Sequence, residues 1–441
     1  MMRERLFKEL PEGKGAEEGT AAGRPRTREP VRDQIELRAV DIDSLIGEDH
    51  PARLIWTYVE QLDLKVLEDA IRAREGRPGH PAMSPRLLLA LWLYATSQGV
   101  GSARALERLC ESHDAYRWLV GGVSVNYHTL SDFRVDHGEL LDRLLTENIA
   151  SLAQAGIIDL GTLTQDGIRV RASAGASSFR RRATLERHLS EARALVEHLK
   201  REIDADADAS NRRIRAARER AARERAARVT AALKVQGEVE AQRERRKRKN
   251  RNQTKRQKEP RSSTTDPQAR VMKMADGGFR PAFNVQVVST SEEQIVVGIE
   301  PWTVGSDRGL MRPTVEATRK RIGRLPARHL GDGGLTAAKD IEWAHNECVE
   351  VYCPPTRSKH GSDPFLPKRG DGPGVLAWRA RMASEEGQAQ YRRRGIAECI
   401  HGRWRQWNLH LTVRGIAKVK AVMLWYALAN NILQGHRLAT A

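Results

Sequence analysis

Three acids stand in settings where a hard metal ion could be held. Asp166 lies in Gln165-Asp166-Gly167 and Asp332 in Gly331-Asp332-Gly333-Gly334. Each sits beside glycine, where backbone can turn sharply. Glu398 closes the run Tyr391-Arg-Arg-Arg394-Gly-Ile-Ala-Glu398. Tyr391, Arg394 and Glu398 step three and four residues apart, the spacing of one helical face. Carboxylates that converge from distant parts of a chain suit Mg²⁺, which takes oxygen ligands and usually one or two carboxylates from protein. Two such ions about 3.5–4 Å apart activate a nucleophile and stabilise a leaving oxygen, the two needs of phosphodiester cleavage. Local features leave the choice open. Asp276, in Ala275-Asp276-Gly277-Gly278, is as turn-like as Asp166. The Tyr-Arg-Glu face serves equally well as a surface ion-pair ladder.

The rest of the chain must position these groups. Its 441 residues suggest two to four domains. Lys and Arg number 75 against 57 Asp and Glu, a net charge of +18. That excludes an ordinary acidic metabolic enzyme as the default and favours a polyanionic partner. Four cysteines in so long a chain exclude a disulfide scaffold and suggest a reducing compartment. The longest apolar stretches, Leu87 to Ala95 and Ala421 to Ala429, fall well short of the roughly 20 residues that span a bilayer. The N-terminus has no apolar signal region, so a soluble, intracellular protein is expected.

Residues 1–36 are polar and aperiodic and read as a disordered tail. Residues 37–155 read as an all-helical domain. Ser84-Pro85 caps a helix through Gly99, a second covers Ser102 to Ser112, and a third runs from Thr129 or Ser131 to Ala155. From Ile157 the period changes. Gly161 to Arg171 alternates like two strands joined by a tight turn at Asp166-Gly167. Strands are expected at Phe283–Val288, Gln294–Ile299, Ala327–Leu330 and Val349–Tyr352. Helices are expected at about Leu310–Ile322, Thr336–Asn346, Trp378–Gly402 and Ile416–Leu433. Residues 156–179 and 262–435 thus form an α/β core. Residues 180–261 interrupt it as a helical, Arg-rich insertion. Leu185, Leu189, Ala192, Val196, Leu199 and Ile203 form a short heptad seam. The run 216–228 then puts charge on every face and reads as a solvated helix or arm, not a core.

Taken together, these motifs resemble the DDE transposases of bacterial insertion sequences, of the broad IS-four and IS-five-like grouping. The family's Y-x2-R-x3-E signature reads Tyr391, Arg394 and Glu398, with Arg405 in the place of its following Lys. Asp166 resembles the first acid and Asp332 the second, with Leu335 where the family often has an aromatic residue. Asp49-His-Pro51, Ser102-Ala-Arg104 and Thr129-Leu-Ser-Asp-Phe-Arg134 resemble the family's N-terminal helical domain. Pro281-Ala-Phe-Asn-Val-Gln286 resembles the segment entering the second strand, and Asn430-Asn431 resembles part of the C-terminal helix.

The resemblance implies an RNase H-like mixed-sheet catalytic core, with Asp166, Asp332 and Glu398 as catalytic residues holding Mg²⁺ (or Mn²⁺). It implies DNA contacts from Tyr391, Arg394 and Arg405, and DNA binding by the helical domain. The implied partner is double-stranded DNA, as terminal inverted repeats and target, bound by a homodimer in the cytoplasm at the nucleoid. The alternative is a catalytically inactive or domesticated transposase-derived DNA-binding protein; a nuclease of the same fold is a further rival. The basic run 243–261 is a candidate DNA-tracking arm. Cys348 and Cys353 lack zinc-finger spacing. Tyr127-His128 suggests a helix N-terminal contact more than a catalytic pair.

Overall fold

The computed structural model describes residues 33, 39, 41–76, 80–205, 209–249, 259–356 and 363–441. The tail expected over 1–36 falls almost wholly outside these residues, as do residues 77–79 and residues 250–258 of the basic run.

Helices α1 (Pro51–Glu60), α2 (Lys65–Asp69), α3 (Pro85–Ser97), α4 (Ala103–Ser112), α5 (Asp114–Val120), α6 (Tyr127–Asp136) and α7 (Gly138–Gln154) come first. Proline at the first turn opens α1 and α3, where its missing N–H costs nothing. Ser84 makes no side-chain cap, whereas Ser102 Oγ accepts the Ala105 N–H at 3.4 Å. The single helix expected from Thr129 to Ala155 is two. The backbone leaves helical geometry at His137, and Gly138, a poor helix former, follows. α3 is buried on every face, so its apolar run is a core helix.

The second half is a mixed sheet. Its strands are β1 (Thr162–Arg171), β4 (Arg270–Lys273), β5 (Phe279–Thr290), β6 (Val296–Trp302), β7 (Arg328–Gly331) and β8 (Glu350–Tyr352); β2 (Phe179–Arg180) and β3 (Ser262–Ser263) form a separate ribbon. The order is β4-β5-β1-β7-β8, with β6 also on β5. β1 runs antiparallel to β5 and parallel to β7, and β7 is parallel to β8.

β1 corrects the hairpin reading, for it passes through Asp166-Gly167 without turning. Gly167 serves close approach instead: a Cβ there would lie 2.5 Å from Gln286 Nε2 and 2.7 Å from Asp307 Oδ1.

Helices α8 (Arg182–Ala205) and α9 (Ala209–Lys249) leave the sheet after β2. α8 packs its seam on α9: Leu185 meets Val229 and Ala232, and Val196 and Leu199 meet Ala222. The Ala-Arg-Glu run is therefore the seam's partner. Ala222, Ala226 and Val229, four and three residues apart, share the helix face turned toward α8. The base of this arm is closed by β2 and β3, with Phe179 opposite Ser263 and the Ser178 and Ser263 hydroxyls 2.7 Å apart.

Loop closure grows only logarithmically with length, and here the ends already meet. Excision of 182–260, bridged by a short Gly/Ser linker, should leave the remaining secondary structure and a cooperative thermal transition intact by circular dichroism. An unfolded product would place the arm within the folding core.

Helices α10 (Met311–Ile322) and α11 (Ala338–Asn346) follow, then α12 (Pro373–Ala383), α13 (Glu385–Arg392), α14 (Ile396–Gln406) and α15 (Ile416–Thr440). The one helix expected over Trp378–Gly402 is three, with a 3-10 turn at Arg393–Gly395. Ser384 caps α13 by accepting the Gly387 N–H, and a Cβ on Gly387 would strike the Arg381 carbonyl. α15 is the central buried helix. Asn431 satisfies both the N–H and the C=O of Val296 at 2.8 Å, completing backbone pairing at the start of β6. Among the described residues no helix is long and apolar enough to cross a membrane.

Candidate active site

The parallel register of β1 and β7 pairs Gln165 with Gly331. The next residue in each segment is an acid, so Asp166 and Asp332 stand side by side where the β1–β7 ladder ends. Asp332 leaves β7 and accepts the N–H groups of Gly334 (2.9 Å) and Leu335 (3.2 Å), capping the 3-10 turn Gly333–Leu335. Asp166 accepts its neighbour Gly167 N–H at 2.8 Å, and its other oxygen lies 3.4 Å from His401 Nδ1 on α14.

The two carboxyls are pushed apart electrostatically. Burial, then the charges of Asp166 and Asp307, raise Asp332 above the usual carboxylate range. Burial also pushes Asp166 up, but the His401 hydrogen bond, the positive charge of His401 when protonated, the Gly167 N–H and Arg394 outweigh it and hold Asp166 below that range.

Glu398, on the first turn of α14, faces the same cleft but binds Arg394 Nη2 at 3.2 Å. Arg394 sits in the 3-10 turn and lies 5.6 Å over the Tyr391 ring. Tyr391, Arg394 and Glu398 therefore occupy three elements, not one helical face. Tyr391, partly buried, packs against the apolar cluster of Leu330, Leu335 and Trp378. Arg405 lies two turns beyond Glu398 and lines the cleft. Asp276 is in the β4–β5 turn, where it holds Gly278 N–H at 3.0 Å and Arg280 at 2.6 Å. It lines the outer cleft, while Asp166 is the acid beside Asp332.

The cleft measures about 1040 Å³, and Arg169, Arg171, Lys273, Arg280 and Arg405 line it alongside Asp166, Glu398 and His401. Cations around a carboxylate pair suit a phosphodiester backbone. The like-charge crowding at Asp332 is what a hard cation relieves, and an Asp pair is a donor set Mg²⁺ accepts. Among the described residues, however, no group of three or more His, Cys, Asp or Glu is gathered closely enough to hold a metal ion. Glu398 would have to leave Arg394 to join the pair. All four cysteines are free.

Beneath the strand lies a polar layer that the local motifs do not announce. Asp307, in the β6–α10 loop, binds Arg169 (2.8 Å), Asn284 Nδ2 (2.7 Å) and Gln286 Nε2 (2.8 Å). Gln165 donates to Gln286 Oε1 at 2.7 Å and contacts His329, which burial pulls down to about 4 and keeps neutral. The alternation Asn284-Val-Gln286 was a usable signal for an inward polar face on β5. His401, three residues after Glu398, was another, since that spacing shares a helix face. Asp307 carried no signal.

Residues 40–136 match the model of a family described as Transposase domain (DUF772). This part of the chain is similar to a transposase domain. The match supports a transposase. No curated protein and no solved structure matches the chain. The transposase-domain match ends with α6 at Asp136, so Asp166, Asp332 and Glu398 all lie beyond it.

Proposed function

We propose that the chain is a DNA transposase of an insertion sequence, acting on double-stranded DNA as terminal inverted repeats and target through an RNase H-like core. One observation carries this reading. In a chain with a transposase-domain match, the β1–β7 register sets Asp332 beside Asp166, and Asp166 lines a cation-rich cleft with Glu398 and Arg405.

Asp166 and Asp332, with Glu398 as third carboxylate, would hold Mg²⁺ or Mn²⁺, whose Lewis acidity activates water or a 3′-hydroxyl and stabilises the leaving oxygen. The chain's own groups do the rest. His401 orients Asp166 from α14. Arg405 and Arg169 hold phosphates on either side of the acids. Arg394 exchanges Glu398 for a phosphate when DNA enters, since guanidinium pairs bidentately with either anion. Binding as a homodimer would bring two element ends together.

The test is cleavage of a duplex carrying the DNA that borders the reading frame, with Mg²⁺ and with chelator. Metal-dependent nicking at the element ends, followed by strand transfer, is expected; nicking without transfer would favour a nuclease. The Arg394–Glu398 ion pair favours one alternative, a domesticated transposase-derived protein that binds but does not cut. Duplex binding without nicking under any divalent metal would select it.

Arg405 supplies a finer prediction. Arg405→Lys should keep most of the cleavage rate, and Arg405→Ala should lose about 10- to 100-fold, as expected for one cationic phosphate contact inside a cleft. Parent-like rates in Arg405→Ala would make the residue a surface charge.

A further inference from the structure

A second concavity, of about 310 Å³, lies within the region of the transposase-domain match, between the starts of α4 and α6 and the segment at Thr412. Arg134 forms part of its wall and is 4 % exposed. Buried guanidinium groups are normally paired with a carboxylate, because an unbalanced charge is costly out of water. Arg134 makes no ion pair among the described residues. Its Nη1 donates to the Gly101 carbonyl and, at 3.2 Å, to Thr412 Oγ1, while its Nε has no partner. Its plane lies 4.7 Å over the Trp92 ring, and burial pulls its guanidinium down to about 10.

A second cation, Arg104, stands at the exposed rim, 4.8 Å over Tyr127. The hydroxyl-bearing residues Ser102 and Ser131 line the same space. The helix ends themselves are already capped. Glu107 takes the Tyr127 N–H, Asn126 takes that of Thr129 and Ser102 takes that of Ala105. The anion affinity of this cavity therefore rests on the two guanidiniums, one of them buried and lacking its counter-charge.

We propose that this cavity binds a phosphate group, and that its occupant is a backbone phosphate of duplex DNA lying across the helical domain. The phosphate site stands on its own residues; the duplex as source rests on the proposed transposase function.

The experiment uses the full chain in two arms. In the first, inorganic phosphate is titrated against chloride of equal ionic strength while the thermal midpoint is read. The parent should gain a saturable rise, which Arg104→Gln weakens and Arg134→Gln abolishes. Arg134 also packs on Trp92, so the rim variant keeps the arm readable when Arg134→Gln fails to fold. In the second arm, duplex affinity is measured against salt by fluorescence anisotropy. Losing one phosphate contact should reduce the slope of log affinity against log salt by about 0.9, so that Arg104→Gln loses about threefold less affinity than the parent between 50 and 200 mM.

No phosphate-specific rise in the parent overturns the site. A rise with an unchanged duplex slope overturns the backbone phosphate as occupant and leaves a free phosphate or nucleotide. Cleavage is read on the same preparations. A parent that cuts DNA but shows neither effect sinks the cavity and not the transposase, whereas both effects without cleavage do the reverse.

Discussion

Asp332→Asn is expected to lower Mg²⁺-dependent cleavage about 10³-fold or more, while the protein becomes no less stable at neutral pH. The rate loss follows from removing a hard anionic ligand, since metal-borne charge stabilisation is worth several kcal/mol and each 1.36 kcal/mol is tenfold. The stability follows from the sign of the Asp332 shift. Burial and the charges of Asp166 and Asp307 raise its folded pKa, so the folded protein binds the proton more tightly than the unfolded chain. Stability from that proton is present at low pH and is lost as pH rises through the folded value. At pH 7 the ionised Asp332 is a burden that asparagine removes, and asparagine still caps the 3-10 turn at Gly334 and Leu335.

Asp166→Asn should lose cleavage as deeply but with the opposite stability signature. Its carboxyl is held low, so its contribution is present above the ordinary carboxylate range and lost as pH falls through the folded value. Glu398→Gln should lose cleavage with little change in stability, for its ion pair is exposed. Urea midpoints at about pH 3 and pH 7, set beside single-turnover rates, separate the three. Wild-type cleavage by any variant would remove that residue from the site, and parallel pH behaviour of Asp166→Asn and Asp332→Asn would refute the opposed electrostatics.

The second large effect should come from Asp307→Ala. This residue touches no expected motif, yet it accepts from Arg169, Asn284 and Gln286 at once. Removing it leaves the Asn284 amide without its acceptor beside Gly167, the Gln286 amide with only Asn284 Oδ1, and a partly buried guanidinium with only the Gly305 carbonyl. Breaking a buried pair costs about 3–5 kcal/mol, and the partial exposure of Arg169 reduces that to about 2–4. Cleavage should fall as well, because the backbone bearing Asp166 loses its support. Asp307→Asn, which keeps the shape and one acceptor oxygen, should recover part of the stability. An Asp307→Ala protein with parental urea midpoint and rate would show that the polar layer does not brace the strand.

The amino-acid order by itself determined the class of the molecule. Periodicity separates helices before Ala155 from strands after Ile157, because apolar side chains at 3.6 and at 2 residues bury different faces. Charge and composition point to a polyanion, and the acids beside glycine single out Asp332, just past the end of β7, and Asp166, within β1. Local patterns failed where distant segments outvoted them. Asp166-Gly167 has a turn's chemistry, but nine residue pairs with β5 and the space taken by Gln286 and Asp307 hold it straight. Tyr391, Arg394 and Glu398 have one helix's spacing, but the chain tightens into a 3-10 turn at Arg393–Gly395 and that face is broken. The arm's seam found its partner in a run that looked fully solvated. Which acid stands beside Asp332, that Asp307 gathers Arg169, Asn284 and Gln286 beside it, and that Arg134 is buried without a counter-charge among the described residues were decided by tertiary structure alone. Each depends on residues more than a hundred positions apart, or on a charge that is missing, and neither leaves a trace in local spacing.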